Sequence, residues 1–319
     1  MRGLRLVPEE TNINFIGIRF VTFALSLAII AASIFMIATK GLNFGIDFAG
    51  GTVIEIRTPE VPDLKAMRGE LNALGLGEIS IQEFGAPEDL LIRMPQQAGG
   101  PEAQQSAIDT VSDAVNTHYG EDPVDYRRVE FVGPQVGDEL KKQGAFAVLF
   151  ALIGILAYVW FRFEWQFGVA SVLALAHDAI ATIGLFAFTQ MEFNLTTVAA
   201  VLMIAGYSIN DTVVVFDRIR EDLRRYKKKP LAEVLNMAVN ATLSRTIMTS
   251  FTTILALVAL YVFGGEVIRG FIYALIFGIG IGTYSSIFIA APILLFMNVR
   301  RGDVVVDDAN AANQSSAEA

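Results

Sequence analysis

The chain has 319 residues, 53% of them hydrophobic and only 18% charged, with mean hydropathy +0.50. Soluble domains sit near 45–50% apolar and about 25% charged, so this composition is that of a membrane protein. No cysteine is present and the only histidines are His118 and His177, which excludes disulfides, zinc–thiolate sites and cysteine nucleophiles and leaves little for a metal site; no cofactor is expected. The formal net charge of −9 matters less than its uneven distribution.

The first apolar run, residues 15–38, is interrupted only by Arg19 and small or hydroxyl residues. It is long enough to span and longer than the apolar core of a signal peptide, so a retained span is expected, with Arg2, Arg5 and Arg19 on the cytoplasmic side. A polar segment follows, and residues 41–140 carry 18 acidic against 6 basic residues, an excess of 12 negative charges. Alternation predicts strands at 52–57 and 125–132, and a hairpin formed by 79–84 and 89–94 around a Gly85-Ala-Pro-Glu turn. Helical spacing of Leu64, Met67, Leu71 and Leu74, stopped by Gly75 and Gly77, predicts a helix over 63–76; Ile108, Val111 and Val115 predict another over 102–119. The order β-α-β-β-α-β is that of a ferredoxin-like split βαβ domain.

Five further spans are expected near 144–161, 167–188, 195–216, 246–263 and 271–297. Residues 218–229 carry seven Arg or Lys, and Arg162, Arg300 and Arg301 fall on the same side, whereas the opposite turns near Glu192 and Glu266 are poor in positive charge. Positive residues therefore put both termini in the cytoplasm and the acidic domain outside. The expected fold class is an α-helical membrane protein of six transmembrane helices with one ferredoxin-like α+β periplasmic domain between the first and second. The expected units are 1–39 (N-terminus and first span), 40–142 (periplasmic domain), 143–300 (five-helix bundle with a basic cytoplasmic loop over 218–243) and 301–319 (a disordered tail). Within the loop, residues 231–238 are amphipathic and predict an interfacial helix beneath the bundle.

Asp211 sits inside the apolar helix that begins near Leu195, where a carboxylate costs roughly 2.5–3.5 kcal/mol even on lenient insertion scales. Thr197, Ile204, Ser208, Asp211 and Val215 fall on one stripe of that helix, so Asp211 should face other helices. On the next span Thr242, Arg245, Thr249 and Thr252 or Thr253 form a hydroxyl-lined stripe. Counted from the outer boundaries, Asp211 lies about 25 Å in and Arg245 about 27 Å in, level and opposite in charge. Two readings follow: a switchable ion pair coupled to a proton, or Arg245 reaching to headgroups while Asp211 serves as a structural hydrogen-bonding residue. His177-Asp178 is a histidine–aspartate pair of the kind found in metal hydrolases, but its apolar helix offers no second ligand cluster. It reads as polar steps in a pathway or as a tie to the neighbouring span. Asn210, beside Asp211, is a further candidate. Asp217 and Arg218 read as surface anchors. Residues 45–51 lack the lysine of a phosphate loop, and their glycines read as a turn from span into strand. In the last span Gly270, Ala274, Gly278, Gly282 and Ser285 or Ser286 form a small-residue stripe, with Gly278 and Gly282 as helix-packing candidates.

Four stretches carry a family resemblance: 43–52 (NFGIDFAGGT), 176–178 (AHD), 206–221 (GYSINDTVVVFDRIRE) and 243–250 (LSRTIMTS). With the six-span layout, they identify a chain that resembles the smaller half of the SecD/SecF family of protein-export membrane proteins, related in fold to the resistance-nodulation-division transporters. The resemblance implies a proton-driven accessory of the bacterial inner membrane. It would work with SecD and the SecYEG channel to pull preproteins outward, and would contact membrane lipid and no nucleic acid. It also implies that Asp211 and Arg245 take part in proton movement. Two alternatives stand beside this: a structural subunit that holds SecD and the channel together, and a small-molecule exporter of the same fold. The exporter would normally carry both halves and two larger exported domains in one chain.

Overall fold

The computed structural model describes residues 11–120, 122–264, 268–297 and 299. The expected tail, 301–319, lies outside them.

The first helix, α1 (Arg19–Lys40), starts four residues later than the apolar run. Asn236 and Asn240 on the fifth spanning helix bond the backbone of Ile13 and Ile16, so Phe15 and Ile16 are drawn into the core beside that helix as a turn. After a loop holding the short α2 (Ile46–Ala49) come β1 (Gly51–Arg57), α3 (Leu64–Asn72), β2 (Ser80–Phe84), β3 (Ala86–Met94), α4 (Pro101–Tyr119) and β4 (Asp125–Val132). The sheet runs in the order β2-β3-β1-β4, each pair antiparallel, which is the split βαβ topology. Alternation places Ile54, Ile56, Leu90 and Ile92 on one face, against Met67 and Leu71 of α3 and Ile108, Val111 and Val115 of α4. Each such side chain contributes about 1.5–3 kcal/mol when fully buried. Asp63 caps α3 by accepting from the Lys65 and Ala66 amides.

The bundle comprises α5 (Pro134–Arg162), α6 (Trp165–Thr189), α7 (Leu195–Arg225), α8 (Leu231–Phe263), α9 (Arg269–Ser285), a π-helical turn (Ser286–Ala290) and α10 (Ala291–Phe296). Among the described residues, six helices are long and apolar enough to cross a membrane: α1, α5, α6, α7, α8, and the α9–α10 run taken as one. Among these, α6, α7 and α9 are buried over half or more of their apolar windows, while α1, α5 and α8 leave theirs mostly exposed.

Three expectations change. The second span is the continuation of a helix that leaves the sheet domain at Pro134, so the boundary expected at 142/143 falls inside α5. The expected 218–243 loop shrinks to 226–230, because α7 runs to Arg225 and α8 starts at Leu231. The interfacial helix expected over 231–238 is the opening of α8: its Val234, Leu235 and Ala238 are fully buried in one cluster with Phe216, Ile219 and Leu223 of α7. The amphipathic face meets protein rather than a membrane surface.

The sheet domain and the bundle meet at a second place besides α5. Residues 43–45 pair with Phe193 of the α6–α7 turn, through Gly45 N to Phe193 O at 3.0 Å and Phe193 N to Asn43 O at 2.7 Å. Phe48 of α2 is buried with Phe186 and Phe193. Asp47 Oδ2 accepts from the Leu195 amide at 2.8 Å and so caps α7, and Arg93 of β3 forms an ion pair with Glu192. Gly51 closes this loop at φ +115°, where a Cβ would come within 2.5 Å of the Met94 carbonyl oxygen, so only glycine fits.

Across the sheet, Asp89 of β3 accepts from Arg57 Nε at 2.7 Å and Nη2 at 2.9 Å on β1, and pairs with Arg127 of β4 at 3.2 Å. The Arg57 hydrogen bond holds the Asp89 carboxyl below the usual carboxylate range. A lowered folded pKa gives stability that is full above the ordinary carboxylate value of about 4 and is lost as pH falls from there through the lowered folded value. Thermal unfolding of the purified chain should show this acid-side loss, and Asp89→Asn should lower the neutral-pH midpoint and flatten the acid limb. An unchanged acid limb in Asp89→Asn would show the clasp to be neutral.

Candidate functional site

The centre of the bundle is polar, and the helices are held there by carboxylates. Asp178 on α6 is fully enclosed. Its Oδ2 accepts from Ser208 Oγ of α7 at 2.8 Å and from Ser285 Oγ of α9 at 2.7 Å. Its Oδ1 lies 3.1 Å from His177 Nδ1. The expected tie from His177-Asp178 to the fourth span is thus made by Asp178, which also reaches the sixth. His177 packs its ring against Tyr284 at 6.2 Å between centroids, and its Nε2 is buried without a hydrogen bond among the described residues. The Tyr284 hydroxyl donates to the Thr22 carbonyl at 2.8 Å and bonds Ser26, extending the network to α1.

The approach of α9 to α6 and α7 depends on its small residues. A Cβ at Gly278 would fall 2.2 Å from Ile204 Cδ1, and one at Gly282 would meet Ser208 at 3.1 Å and Asp178 Oδ2 at 3.5 Å. The two glycines therefore set the distance at which Ser208 and Ser285 can share one carboxylate.

Asp211 lies one turn along α7 from Ser208, and all five residues of the expected stripe (Thr197, Ile204, Ser208, Asp211 and Val215) are buried. Its Oδ1 accepts from Thr246 Oγ1 of α8 at 2.6 Å. Oδ2 is buried and makes no hydrogen bond of good geometry among the described residues; the nearby Ser286 hydroxyl donates to the Gly282 carbonyl at 2.9 Å and bonds Thr212 at 2.9 Å. Ser250 and Thr283 bond at 2.6 Å on the α8–α9 seam.

Arg245 is not where the stripe analysis put it. The buried polar stripe of α8 is Thr242, Thr246 and Ser250, and Arg245 and Thr249 are exposed. No Asp211–Arg245 ion pair forms within 4 Å among the described residues. The physical reason is one residue of helix phase: adjacent positions point about 100° apart, and the N-terminal turns of α8, fixed in the core by Val234, Leu235 and Ala238, set that phase. Asn210 is likewise exposed. The structure therefore brings Asp178, His177 and Asp211 into one buried region and leaves Arg245 and Asn210 on its outer surface.

The partners that the sequence reading missed are Thr212, Thr246, Ser250, Thr283 and Tyr284, and it took Ser285 and Ser286 only for packing. Their signal was present as hydroxyls recurring at helical spacing within apolar spans.

A six-span bundle with carboxylates at its centre and a split βαβ domain after its first span defines a multi-pass membrane protein of the transporter-like kind. Comparison with known proteins narrows this. The profile described as "Protein export membrane protein SecD/SecF, C-terminal" matches residues 111–300, and "SecD/SecF GG Motif" matches 35–58, the clamped loop around Gly50 and Gly51. The chain is 46% identical over 305 residues to the "Protein translocase subunit SecF" of Rickettsia rickettsii, covering 95% of this chain and 98% of that one. It is 51% identical over 295 residues to the protein of the same name in Magnetococcus marinus, covering 92% and 95%. It superposes on the crystal structure of SecDF, a translocon-associated membrane protein from a Thermus species, with TM-score 0.80 and 36% identity, covering 92% of this chain and 40% of that one. The chain belongs to the SecD/SecF family, on its SecF side, and spans about 40% of the SecDF chain it matches.

Removing the Asp178 carboxylate would leave His177 and Ser208 without their partner, at about 1–3 kcal/mol for each one left buried and unpaired, while Ser285 would keep the Gly282 carbonyl at 3.0 Å. Asp178→Ala should therefore lower the unfolding temperature of the detergent-solubilised chain well below that of Asp178→Asn, which keeps one acceptor oxygen. Equal midpoints for the two variants would mean the hydrogen bonds carry little.

Proposed function

We propose that this chain is a proton-motive-force-coupled accessory subunit of the Sec protein translocase, acting with SecD to complete the export of unfolded preproteins through SecYEG. In this reading it lies in the bacterial inner membrane with both termini cytoplasmic and residues 40–142 periplasmic. The clustered Arg and Lys of 218–229 support that orientation, and the names of its relatives support the pathway. Its 40% share of the SecDF chain supports a second half supplied by SecD.

The observation that carries the proton coupling is the buried Asp211 carboxylate, with one oxygen bonded to Thr246 and the other making no hydrogen bond of good geometry among the described residues. As an anion it is only partly satisfied in a region of low dielectric. Protonation turns Oδ2 into a donor and removes the charge; loss of the proton calls for a cation. The cation at hand is Arg245, one residue from Thr246 on the outward side of α8. Proton binding and release thus trade two pairings of α8, the Thr246 bond and an approach of Arg245, which is a two-state element of the kind a gradient can drive. Asp178, with three side-chain donors, acts as the fixed hub around which α7 and α8 shift, and His177 as a second proton-bearing group. Exposed Arg245 and Asn210 sit on a face that SecD would cover. The proton gradient supplies about 2.3 kcal/mol per charge per 100 mV from its electrical part.

In membrane vesicles containing this chain and SecD, Asp211→Asn should assemble normally by co-purification yet lose the acceleration of preprotein translocation by the proton-motive force. Assembly together with unchanged gradient dependence would rule out coupling through Asp211 and favour a structural subunit.

A further inference from the structure

At the ends of α5 and α7 a cavity of about 680 Å³ is lined by Arg162, Asp217, Arg220, Glu221, Arg224 and Arg225. Its two carboxylates are already matched: Asp217 pairs with Arg162 at 3.0 Å, and Glu221 with Arg218 at 3.1 Å. The remaining three guanidinium groups, of Arg220, Arg224 and Arg225, make no ion pair within 4 Å among the described residues. Arg220 reaches the Arg162 carbonyl at 3.4 Å and the Phe163 ring, and Arg225 lies over the Tyr226 ring and within electrostatic reach of Asp222. Arg220 and Arg224 are one turn apart on the same side of α7. Counting Asp222, which shares Arg218 with Glu221 at 3.2 Å, five guanidinium groups stand against three carboxylates here, an excess of two positive charges carried on forks suited to a phosphate.

Its depth says what kind of phosphate. With 31 residues, α7 is about 46 Å long, against a hydrocarbon thickness of about 30 Å, so its last turns emerge at the headgroup layer. Beside the cavity, Trp160, Phe161 and Trp165 are exposed, Phe161 at 95%, which is the aromatic girdle of a membrane interface. A bound molecule would meet arginines on its polar side and bare aromatic rings on its apolar side.

We propose that this cavity is a binding site for the phosphate headgroup of an anionic phospholipid, seated between the ends of α5 and α7. The lipid would bridge the two helices on the outside of the Arg162–Asp217 pair. The inference takes from the proposed function only which leaflet supplies the lipid, and binding is measured without gradient or substrate, so it can fail while the export reading stands, and the reverse.

The test is native mass spectrometry of the full chain in detergent, titrated with phosphatidylglycerol, phosphatidylcholine or inorganic phosphate. The expected result is a preference for phosphatidylglycerol over phosphatidylcholine that falls about tenfold or more in the triple variant Arg220→Gln, Arg224→Gln, Arg225→Gln. Changing Lys227, Lys228 and Lys229 together to Gln should reduce it far less. Should the triple variant fold poorly, Arg224→Gln alone removes no ion pair within the described chain and should still weaken binding about threefold or more. Equal losses from the arginine and lysine sets would overturn the proposal in favour of diffuse surface attraction. Absence of a preference for phosphatidylglycerol, or its displacement by equimolar inorganic phosphate, would overturn it as well.

Discussion

A carboxylate held away from water must be surrounded by donors, and in this bundle Asp178 meets that demand by drawing three helices to one point. Ser208 of α7 and Ser285 of α9 donate to the same oxygen, and His177 lies against the other. The close approach this requires suits glycine at 278, where a Cβ would strike Ile204, and at 282, where one would press on Ser208. Helix packing in lipid gains little from apolar contact, since lipid is as apolar as leucine, so small residues and buried hydrogen bonds decide which helices neighbour one another. The centrality of α6, α7 and α9 follows from that one acceptor, and α1, α5 and α8 are left around them with apolar flanks.

Asp211 is different in kind. It has one donor rather than three, on a helix whose outer half is unpacked, next to an arginine turned away. The two buried aspartates therefore divide between holding and moving. The π-helical turn at Ser286–Ala290 lies between them: Ser285, the last residue of α9, bonds Asp178, and Ser286, the first of the turn, bonds Thr212 beside Asp211. Wide turns of this type recur at functional sites, and here it lets successive serines serve two different helices.

Much of this was legible in the sequence, for reasons that differ by region. Strands such as 125–132 and the α4 face of Ile108, Val111 and Val115 alternate or repeat cleanly because one side meets a core and the other water. Spans were equally plain from length and hydropathy. Phase on a spanning helix was not, because lipid and protein interiors are both apolar and periodicity no longer marks the inside. That is why Arg245 rather than Thr246 was set opposite Asp211, an error of one residue. The interfacial reading of 231–238 failed for a related reason: an amphipathic face names a partner of low polarity without saying whether it is lipid or the rest of the chain. Links made through loops, such as Asp47 to Leu195 and Arg93 to Glu192, join residues far apart in sequence and leave no local pattern.

The clamp between residues 43–47 and the start of α7 has a mechanical meaning. It seats the sheet domain on the tip of the helix that carries Asp211, with Arg93–Glu192 as a second fastening. In the strand order β2-β3-β1-β4, the clamp enters the sheet at β1 and the second fastening at β3, so the outer strand β2 lies two spacings of about 4.8 Å beyond β1. Seen as a lever, the arrangement has a short arm at Leu195 and a long arm at the outer strand β2. A twist of α7 would thus be handed to the sheet at β1 and β3 and be felt furthest out at β2.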